Sequence, residues 1–221
     1  MKYFRSAGLT FACGALLAFA YPNMFGQGLC FLTVVAFGFF YYLLLQEKKI
    51  IPMLILSLLF SLGFSSFGFY WIPQTLSTFG GVPVVLGYIT SLFFSFIVLP
   101  YLWPQTILLF FLRKKNIHHY QLLILIACIH TILEQIIPSQ FPVWIGHSVL
   151  SNNTLLPLTS YFGAGIYSFA LLLIALFLPS FLTHYKKFNP MFLLGFFILL
   201  FDFISGLFMH YPTTQNTTSN Q

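Results

Sequence analysis

The chain has 221 residues, of which 59% are hydrophobic and only 5% are charged. Soluble domains carry about a quarter charged residues, so this composition excludes a water-soluble globular protein. The formal net charge of +6 comes from small Lys/Arg clusters at the ends of apolar runs and not from one basic face, which excludes nucleic acid as a partner.

Apolar runs of about twenty residues recur along the chain, and each predicts a transmembrane helix. Backbone groups in hydrocarbon must bond within their own segment, which favours helices. We predict an all-α polytopic membrane protein, with one transmembrane domain over 1–209 and a polar, disordered periplasmic tail over 210–221. The seven predicted helices cover, in chain order, 7–20, 24–45, 51–72, 83–112, 119–137, 158–182 and 190–209.

Prolines and glycines modify these helices. Pro22-Asn23 separates the first helix from the second, and Pro100 and Pro104 predict a kink or an early end in the fourth. Small residues are expected to permit close helix contacts at Gly63, Gly68, Gly163 and Gly165.

The basic residues indicate the side of the membrane on which each loop lies. Four loops, at 21–23, 73–82, 138–157 and 210–221, contain no Lys or Arg. With seven helices, all nine basic residues fall on the opposite side: Lys2, Arg5, Lys48, Lys49, Arg113, Lys114, Lys115, Lys186 and Lys187. We therefore predict a bacterial inner-membrane protein with its N-terminus in the cytoplasm and its C-terminus in the periplasm.

The N-terminal run also has the features of a signal peptide. Lys2 and Arg5 precede a short apolar stretch that ends at Ala18-Phe19-Ala20. Cleavage there would leave six spans that start outside the cell, and the charge pattern would still hold.

Three ionisable side chains lie inside apolar runs, where a charge is costly and a functional role is the first hypothesis. His130 and Glu134 lie four residues apart on one face of the fifth helix, near its outer end. They could relay protons or bind a polar headgroup, or form interhelical hydrogen bonds that orient the helix. Asp202, in the seventh helix, is expected to pack against a Ser or Tyr hydroxyl or to meet Glu134.

The three cysteines, Cys13, Cys30 and Cys128, all lie in apolar runs, without a CxxC pair or a His at ligand spacing. We interpret them as small buried hydrophobic residues. The sequence therefore predicts no metal site and no cofactor.

Two uncharged aromatic loops, 72–83 and 138–148, face the predicted periplasmic side. Their candidate residues, with those just before the first loop, are Tyr70, Trp71, Phe79, Gly80, Gly81, Trp144 and His147. Aromatic residues are favoured at membrane interfaces, so these could form an ordinary aromatic belt. As a group they could instead form the rim of a lateral entrance for lipid.

The order of these features resembles the membrane domain of bacterial apolipoprotein N-acyltransferase, over nearly the whole chain. The matching segments are LAFAYP at 17–22, GFYWI at 68–72, FGGVP at 79–83, LWPQT at 102–106, Glu134, Phe141-Pro142 with Trp144, LPL at 156–158 and Phe162-Gly163. Three positions depart from the family pattern. Ile137 stands where the family usually has Arg, His130 where it favours Trp, and His147 where it has Tyr.

The resemblance implies an enzyme that moves an acyl chain from a phospholipid to the N-terminal cysteine of a lipoprotein. In that family the membrane helices hold the lipid substrates, and a periplasmic nitrilase-like domain after the seventh helix carries a Glu-Lys-Cys triad. By this resemblance, the present chain is expected to have an outer cavity lined by apolar side chains and by Glu134, Trp144 and Tyr70.

The family's chemistry needs an exposed thiolate with a base nearby. The predicted outer face has no Lys and no Cys outside the apolar runs, and the chain stops at Gln221, where the resemblance places the catalytic domain. We therefore expect no catalytic residue here and no acyl transfer by this polypeptide alone. It would present phospholipid and apolipoprotein to a separate nitrilase-like chain, or be a truncated relic or a repurposed lipid-binding protein.

Two other functions stay open. A small secondary transporter usually has polar groups near the midplane and often an inverted repeat, whereas this sequence has no such repeat and its carboxylates lie toward one face. A non-catalytic assembly protein would need only a shaped periplasmic surface, so the sequence does not distinguish it from a lipid-binding module.

Overall fold

The computed structural model describes residues 2–21, 28–139, 141, 143–149, 157–177 and 190–208, which form helices and loops without any strand. The helices are α1 (Lys2–Ala18), α2 (Phe31–Gln46), α3 (Ile50–Gly68), α4 (Ile72–Gly80), α5 (Val84–Val98), α6 (Leu102–Leu112), α7 (His119–Ile136), a 3-10 helix (Ile145–Val149), α8 (Thr159–Phe162), α9 (Gly165–Ala175) and α10 (Pro190–Phe208). The predicted all-helical fold is confirmed. Several residues discussed above lie outside the described ones: Pro22, Asn23, Pro142, Leu156, Lys186, Lys187 and the tail 210–221.

Several of these helices are apolar enough for a membrane. α3 and α7 are each long enough to cross one, with mean hydropathies of 2.1 and 1.3. α5 and α6 meet the same test as one pair that is bent by 49°. The shorter apolar helices cover Phe4–Ala18, Phe31–Gln46, Gly165–Ala175 and Leu193–Gly206.

The bend between α5 and α6 confirms the kink predicted in the fourth helix, and it occurs at Pro100. Proline has no N–H, so the Phe96 carbonyl loses the partner that a continuous helix would give it four residues later. The indole N–H of Trp103 donates to that carbonyl at 2.8 Å instead. The Phe96 and Trp103 rings also stack, with centroids 5.7 Å apart.

α1 packs closely on α3, and the two helices run parallel. The two backbones are so close that a Cβ atom on Gly14 would meet the Phe60 carbonyl oxygen. A Cβ atom on Gly63 would likewise meet the Phe11 carbonyl oxygen. Further along, Gly68 lies beside Ala18. Gly63 therefore permits the close contact expected of it, because any side chain there would strike the backbone of α1.

The aromatic core lies beside this contact. Phe37 and Phe40 of α2 and Phe60 of α3 are at most 1% exposed, and the Phe40 and Phe60 ring centroids are 4.4 Å apart. α9 packs on α2 and also contacts α7 and α10.

Three of the basic clusters lie at one end of the bundle. Arg113, at the end of α6, donates to the Glu47 carbonyl at 2.5 Å and so joins the C-terminal ends of α2 and α6. Lys48 and Lys49 lie between the end of α2 and the start of α3. Because α1 runs parallel to α3, Arg5 in the first turns of α1 lies at this end as well.

Two predicted segments are divided differently in the structure. The predicted loop 73–82 contains α4. Pro73 lies in the first turn of this helix, where a missing N–H costs little. The helix ends before Gly81, whose φ is 62°. The predicted helix 158–182 is broken between α8 and α9 at Gly163, whose φ is 65°. No atom outside its immediate neighbours lies within 4 Å of a Cβ added at Gly163, so this glycine provides a positive φ and not the expected close contact.

Asp202 of α10 stabilises the backbone around the break between α8 and α9. Its carboxylate accepts the Leu158 N–H and the Tyr167 hydroxyl, at 2.8 and 2.7 Å. The expected hydroxyl partner is confirmed, and the side chain is fully buried. Asp202 thus caps the backbone where α8 begins.

The α1–α3 contact gives a stability prediction. Gly14→Ala should lower the free energy of unfolding by about 1–3 kcal/mol, because its methyl group would be forced against the Phe60 carbonyl. Thermal unfolding in detergent measures the effect. Gly8→Ala on the same helix is the matched control, because a Cβ there has no neighbour within 4 Å. Equal unfolding temperatures for the two variants would contradict the close contact.

Candidate functional site

A groove of about 730 Å³ lies between the C-terminal part of α3, α4 and the N-terminal part of α5. It is at the end of the bundle opposite the basic clusters, since α3 starts at Ile50, directly after Lys49, and the groove begins further along α3 at Leu62. Its lining residues are Leu62, Ser65, Ser66, Phe69, Tyr70, Pro73, Gln74, Ser77, Thr78, Val84, Tyr88, Ser91 and Leu92.

The groove has a mainly apolar lining into which uncharged hydrogen-bonding groups are set. Eight of its thirteen lining side chains carry a hydroxyl or an amide, and none of the thirteen is Asp, Glu, Lys, Arg or His. Ser66 and Ser91 donate to carbonyls one turn earlier in their helices, so their oxygens remain available as acceptors. Tyr88 and Leu92 are more than half exposed, so the groove opens on the outer surface of the bundle. This arrangement suits a polar group that is attached to an apolar chain.

A second part of the site is residues 143–149, which we call the anchored segment. It contains the 3-10 helix and contacts α2, α7 and α9. The Glu134 carboxylate, which is 1% exposed, accepts the Ile145 N–H. The Ser168 hydroxyl of α9 accepts the Gly146 N–H at 2.8 Å. Two side chains from neighbouring helices therefore replace the backbone partners that an α-helix would provide.

Further contacts hold the anchored segment in place. Thr33 donates to the Ser148 hydroxyl at 3.0 Å, and Ser148 donates to the Ile145 carbonyl at 2.8 Å. The Tyr21 hydroxyl donates to the Trp144 carbonyl at 3.1 Å. Gly146 lies directly on α9, because a Cβ there would meet the Ala164 carbonyl oxygen.

An aromatic bridge, formed by Phe69, Trp71, Phe94 and Phe141, connects the end of α7 to the groove. The Phe141 ring lies 5.0 Å from Phe69, 5.8 Å from Phe94 and 6.5 Å from Trp71, measured between centroids. Phe69 also lines the groove. The Val143 N–H donates to the Phe141 carbonyl at 2.7 Å, so the bridge is joined to the anchored segment as well.

The residues near α4 that the sequence singled out lie in three places. Tyr70 lines the groove, and Trp71 belongs to the aromatic bridge. Phe79, Gly80 and Gly81 form the exposed end of α4, where the Phe79 side chain is 85% exposed.

The other candidates lie on or behind the anchored segment. The Trp144 and His147 rings stack at 5.1 Å between centroids. Neither Trp144 nor Glu134 is among the residues that line the groove. His130 lies one helical turn before Glu134, and its Nδ1 lies 2.7 Å from the Tyr41 hydroxyl.

Sequence reasoning missed most of the polar residues at this site. The available signal was a set of hydroxyl and amide side chains inside apolar helices, at Thr33, Tyr41, Ser65, Gln105 and Ser168. In the described part of the chain, no three His, Cys, Asp or Glu side chains are grouped so that they could hold a metal ion.

The Glu134 contact gives a second prediction. Glu134→Leu should lower the free energy of unfolding by about 1–3 kcal/mol, because it leaves the buried Ile145 N–H without an acceptor. Glu134→Gln keeps an acceptor oxygen and should stay closer to wild type. Hydrogen exchange of the 145–149 amides in detergent measures the effect directly, with faster exchange expected only in the Leu variant. Unchanged exchange in that variant would show that Glu134 does not hold the segment.

A comparison with known protein families identifies the family to which the chain belongs. The family model of the apolipoprotein N-acyltransferase N-terminal domain matches residues 13–177. The match includes the groove, the aromatic bridge and the anchored segment. No curated protein matches the chain significantly. Because the family model covers about three quarters of the 221 residues, and the described helices are apolar, this membrane protein belongs to the apolipoprotein N-acyltransferase N-terminal domain family.

Proposed function

We propose that the chain is the lipid-binding membrane module of an apolipoprotein N-acyltransferase-like system, and that the groove between α3, α4 and α5 holds a phospholipid. The groove is the observation that carries this proposal. Pockets for small ligands have volumes of about 300–1,000 Å³, and this one is about 730 Å³. It combines uncharged hydrogen-bonding groups with apolar walls at Leu62, Phe69 and Leu92.

The chemistry of the groove favours an amphiphile over an ion. Hydroxyl and amide groups can bond to the ester and phosphate oxygens of a lipid, or to an ammonium headgroup, without the desolvation cost of a buried charge. The exposed Phe79 and the half-exposed Tyr70 and Trp71 lie on or beside α4. Aromatic residues are enriched where hydrocarbon meets headgroups, which supports placing α4 at that interface.

We further propose that the chain spans the bacterial inner membrane seven times, with its N-terminus in the cytoplasm. The three described basic clusters share one end of the bundle, which supports a cytoplasmic location for that end. The groove and Glu134 are then at the periplasmic leaflet, where the family's lipoprotein substrate is acylated. In this arrangement residues 1–209 form the membrane domain, and 210–221 lie in the periplasm.

Photo-crosslinking tests the groove. The purified chain would be reconstituted with a phospholipid that carries a photoreactive group near its glycerol backbone, and the crosslinked residues read by mass spectrometry. Crosslinks should concentrate on α3, α4 and α5. Ser77→Trp would fill the groove and should reduce this labelling several-fold, whereas Ser205→Trp on α10 lies outside the groove and should leave it unchanged.

Labelling spread evenly over all exposed helices, or equal labelling of the two Trp variants, would contradict lipid binding in the groove. Even labelling would instead support a transporter or an assembly role, since neither requires this groove to hold lipid.

The proposed partner is a nitrilase-like domain with a Glu-Lys-Cys triad, which would act on the phospholipid and on the apolipoprotein held here. Complementation in cells depleted of apolipoprotein N-acyltransferase tests this, with lipoprotein N-acylation scored by mass spectrometry. The chain would be expressed alone and with a separate nitrilase-like domain. We expect acylation only in the second case. Its absence in both, with the protein inserted, would exclude the acyltransferase role and leave a repurposed lipid-binding protein. Acylation by the chain alone would contradict the assignment of chemistry to that partner.

A further inference from the structure

A second polar cluster lies deeper in the bundle, between α2, α6 and α7, and the proposed lipid site does not use it. Its members are Tyr41 of α2, Tyr101 and Gln105 at the start of α6, and His130 and Glu134 of α7. All five are at most 2% exposed. Polar groups this deeply buried need hydrogen-bond partners, because an unsatisfied one costs about 1–3 kcal/mol.

Three side chains of the cluster form a chain of hydrogen bonds in which each donor can be assigned. The Gln105 side-chain amide donates to the Tyr41 oxygen. The Tyr41 proton is then available for His130 Nδ1, which lies 2.7 Å from the hydroxyl. If Nδ1 accepts, a neutral imidazole carries its proton on Nε2. This chain of bonds therefore presents His130 Nε2–H as a donor.

The remaining polar atoms of the cluster have no protein partner within the described structure. They are Tyr101 OH, Gln105 Oε1, His130 Nε2 and Glu134 Oε2. This set contains a donor at His130, two acceptors at Gln105 and Glu134, and a hydroxyl that can act as either.

These atoms belong to side chains that lie together. Tyr101 and Gln105 are four residues apart at the start of α6, and His130 and Glu134 are four apart on α7, so each pair shares a helix face. The Tyr101 and His130 rings approach to 4.9 Å between centroids. Gln105 and His130 both bond to the Tyr41 hydroxyl, so they lie on either side of one oxygen. The four unpartnered atoms therefore belong to side chains that share a partner, stack or lie one helical turn apart.

We infer that this cluster binds internal water, which accepts the His130 Nε2–H and donates to the oxygens of Gln105 and Glu134. Water both donates and accepts, as the mixed set of atoms requires, and buried waters typically make about three hydrogen bonds to groups of this kind. A metal ion would be repelled by the His130 N–H donor, and an acyl chain would leave all four atoms unsatisfied. The site thereby links His130 to Glu134, and through Glu134 to the anchored segment.

Solid-state NMR of the full chain in liposomes tests the inference, with the six histidines labelled with ¹⁵N. His130→Asn assigns the His130 signals by their loss. We expect a neutral His130 that is protonated on Nε2 and receives magnetisation from water at that proton. Tyr41→Phe removes the donor to Nδ1 and should redistribute the proton between the two nitrogens. Tyr42→Phe is the matched control and should leave the spectrum unchanged, because it alters a neighbouring tyrosine outside the cluster.

A His130 protonated on Nδ1, or an Nε2 proton that receives no magnetisation from water in the folded wild-type protein, would overturn the inference. Both results are read from the wild-type chain, so they do not depend on whether a variant folds. They are also independent of lipid binding in the groove, which is measured by crosslinking.

Discussion

The hydrogen bond from the Ile145 N–H to the Glu134 carboxylate is the interaction on which the arrangement of the candidate site depends. A stretch that is not α-helical can be buried among apolar helices only if its backbone groups find partners elsewhere. The N–H groups of the anchored segment find them at Glu134 of α7 and Ser168 of α9, and Thr33 of α2 donates to the Ser148 hydroxyl. With these bonds in place, the segment is fixed relative to three helices. The aromatic bridge extends this order to the groove.

The same solution occurs a second time in the chain. Asp202 accepts the Leu158 N–H where α8 begins, as Glu134 does for the 3-10 helix. The chain has only three acidic residues, and two of them are buried acceptors at interruptions of helical structure. Their first role is therefore structural, and it explains why carboxylates are tolerated in such apolar helices. Asp202 also accepts the Tyr167 hydroxyl, so its carboxylate has two protein donors.

More of the fold than of the candidate site could be predicted from the sequence. Apolar runs located most helices, and Pro100 located the bend, because a missing N–H has a local effect that does not depend on the rest of the chain. α4 was missed, because a short helix has no long apolar run to identify it. Glu134 was recognised as an ionisable residue in an apolar run, but its partner is a backbone N–H, which every residue except proline possesses. The groove hydroxyls come from three helices that are adjacent only in the folded chain, so no local pattern marks them as one site.

The contact between Gly14 and Phe60 has a consequence for the order of assembly. Two parallel helices cannot pair as a simple hairpin, so α1 must wait until α2 has been made and α3 has followed it. About fifty residues separate Gly14 from Gly63, which at about 5–20 residues per second is a delay of roughly 2.5–10 s during synthesis. Over that interval the face of α1 around Gly14 lacks the α3 backbone against which it packs in the folded protein. The pairing of α1 and α3 therefore sets the earliest moment at which the N-terminal half of the bundle can close.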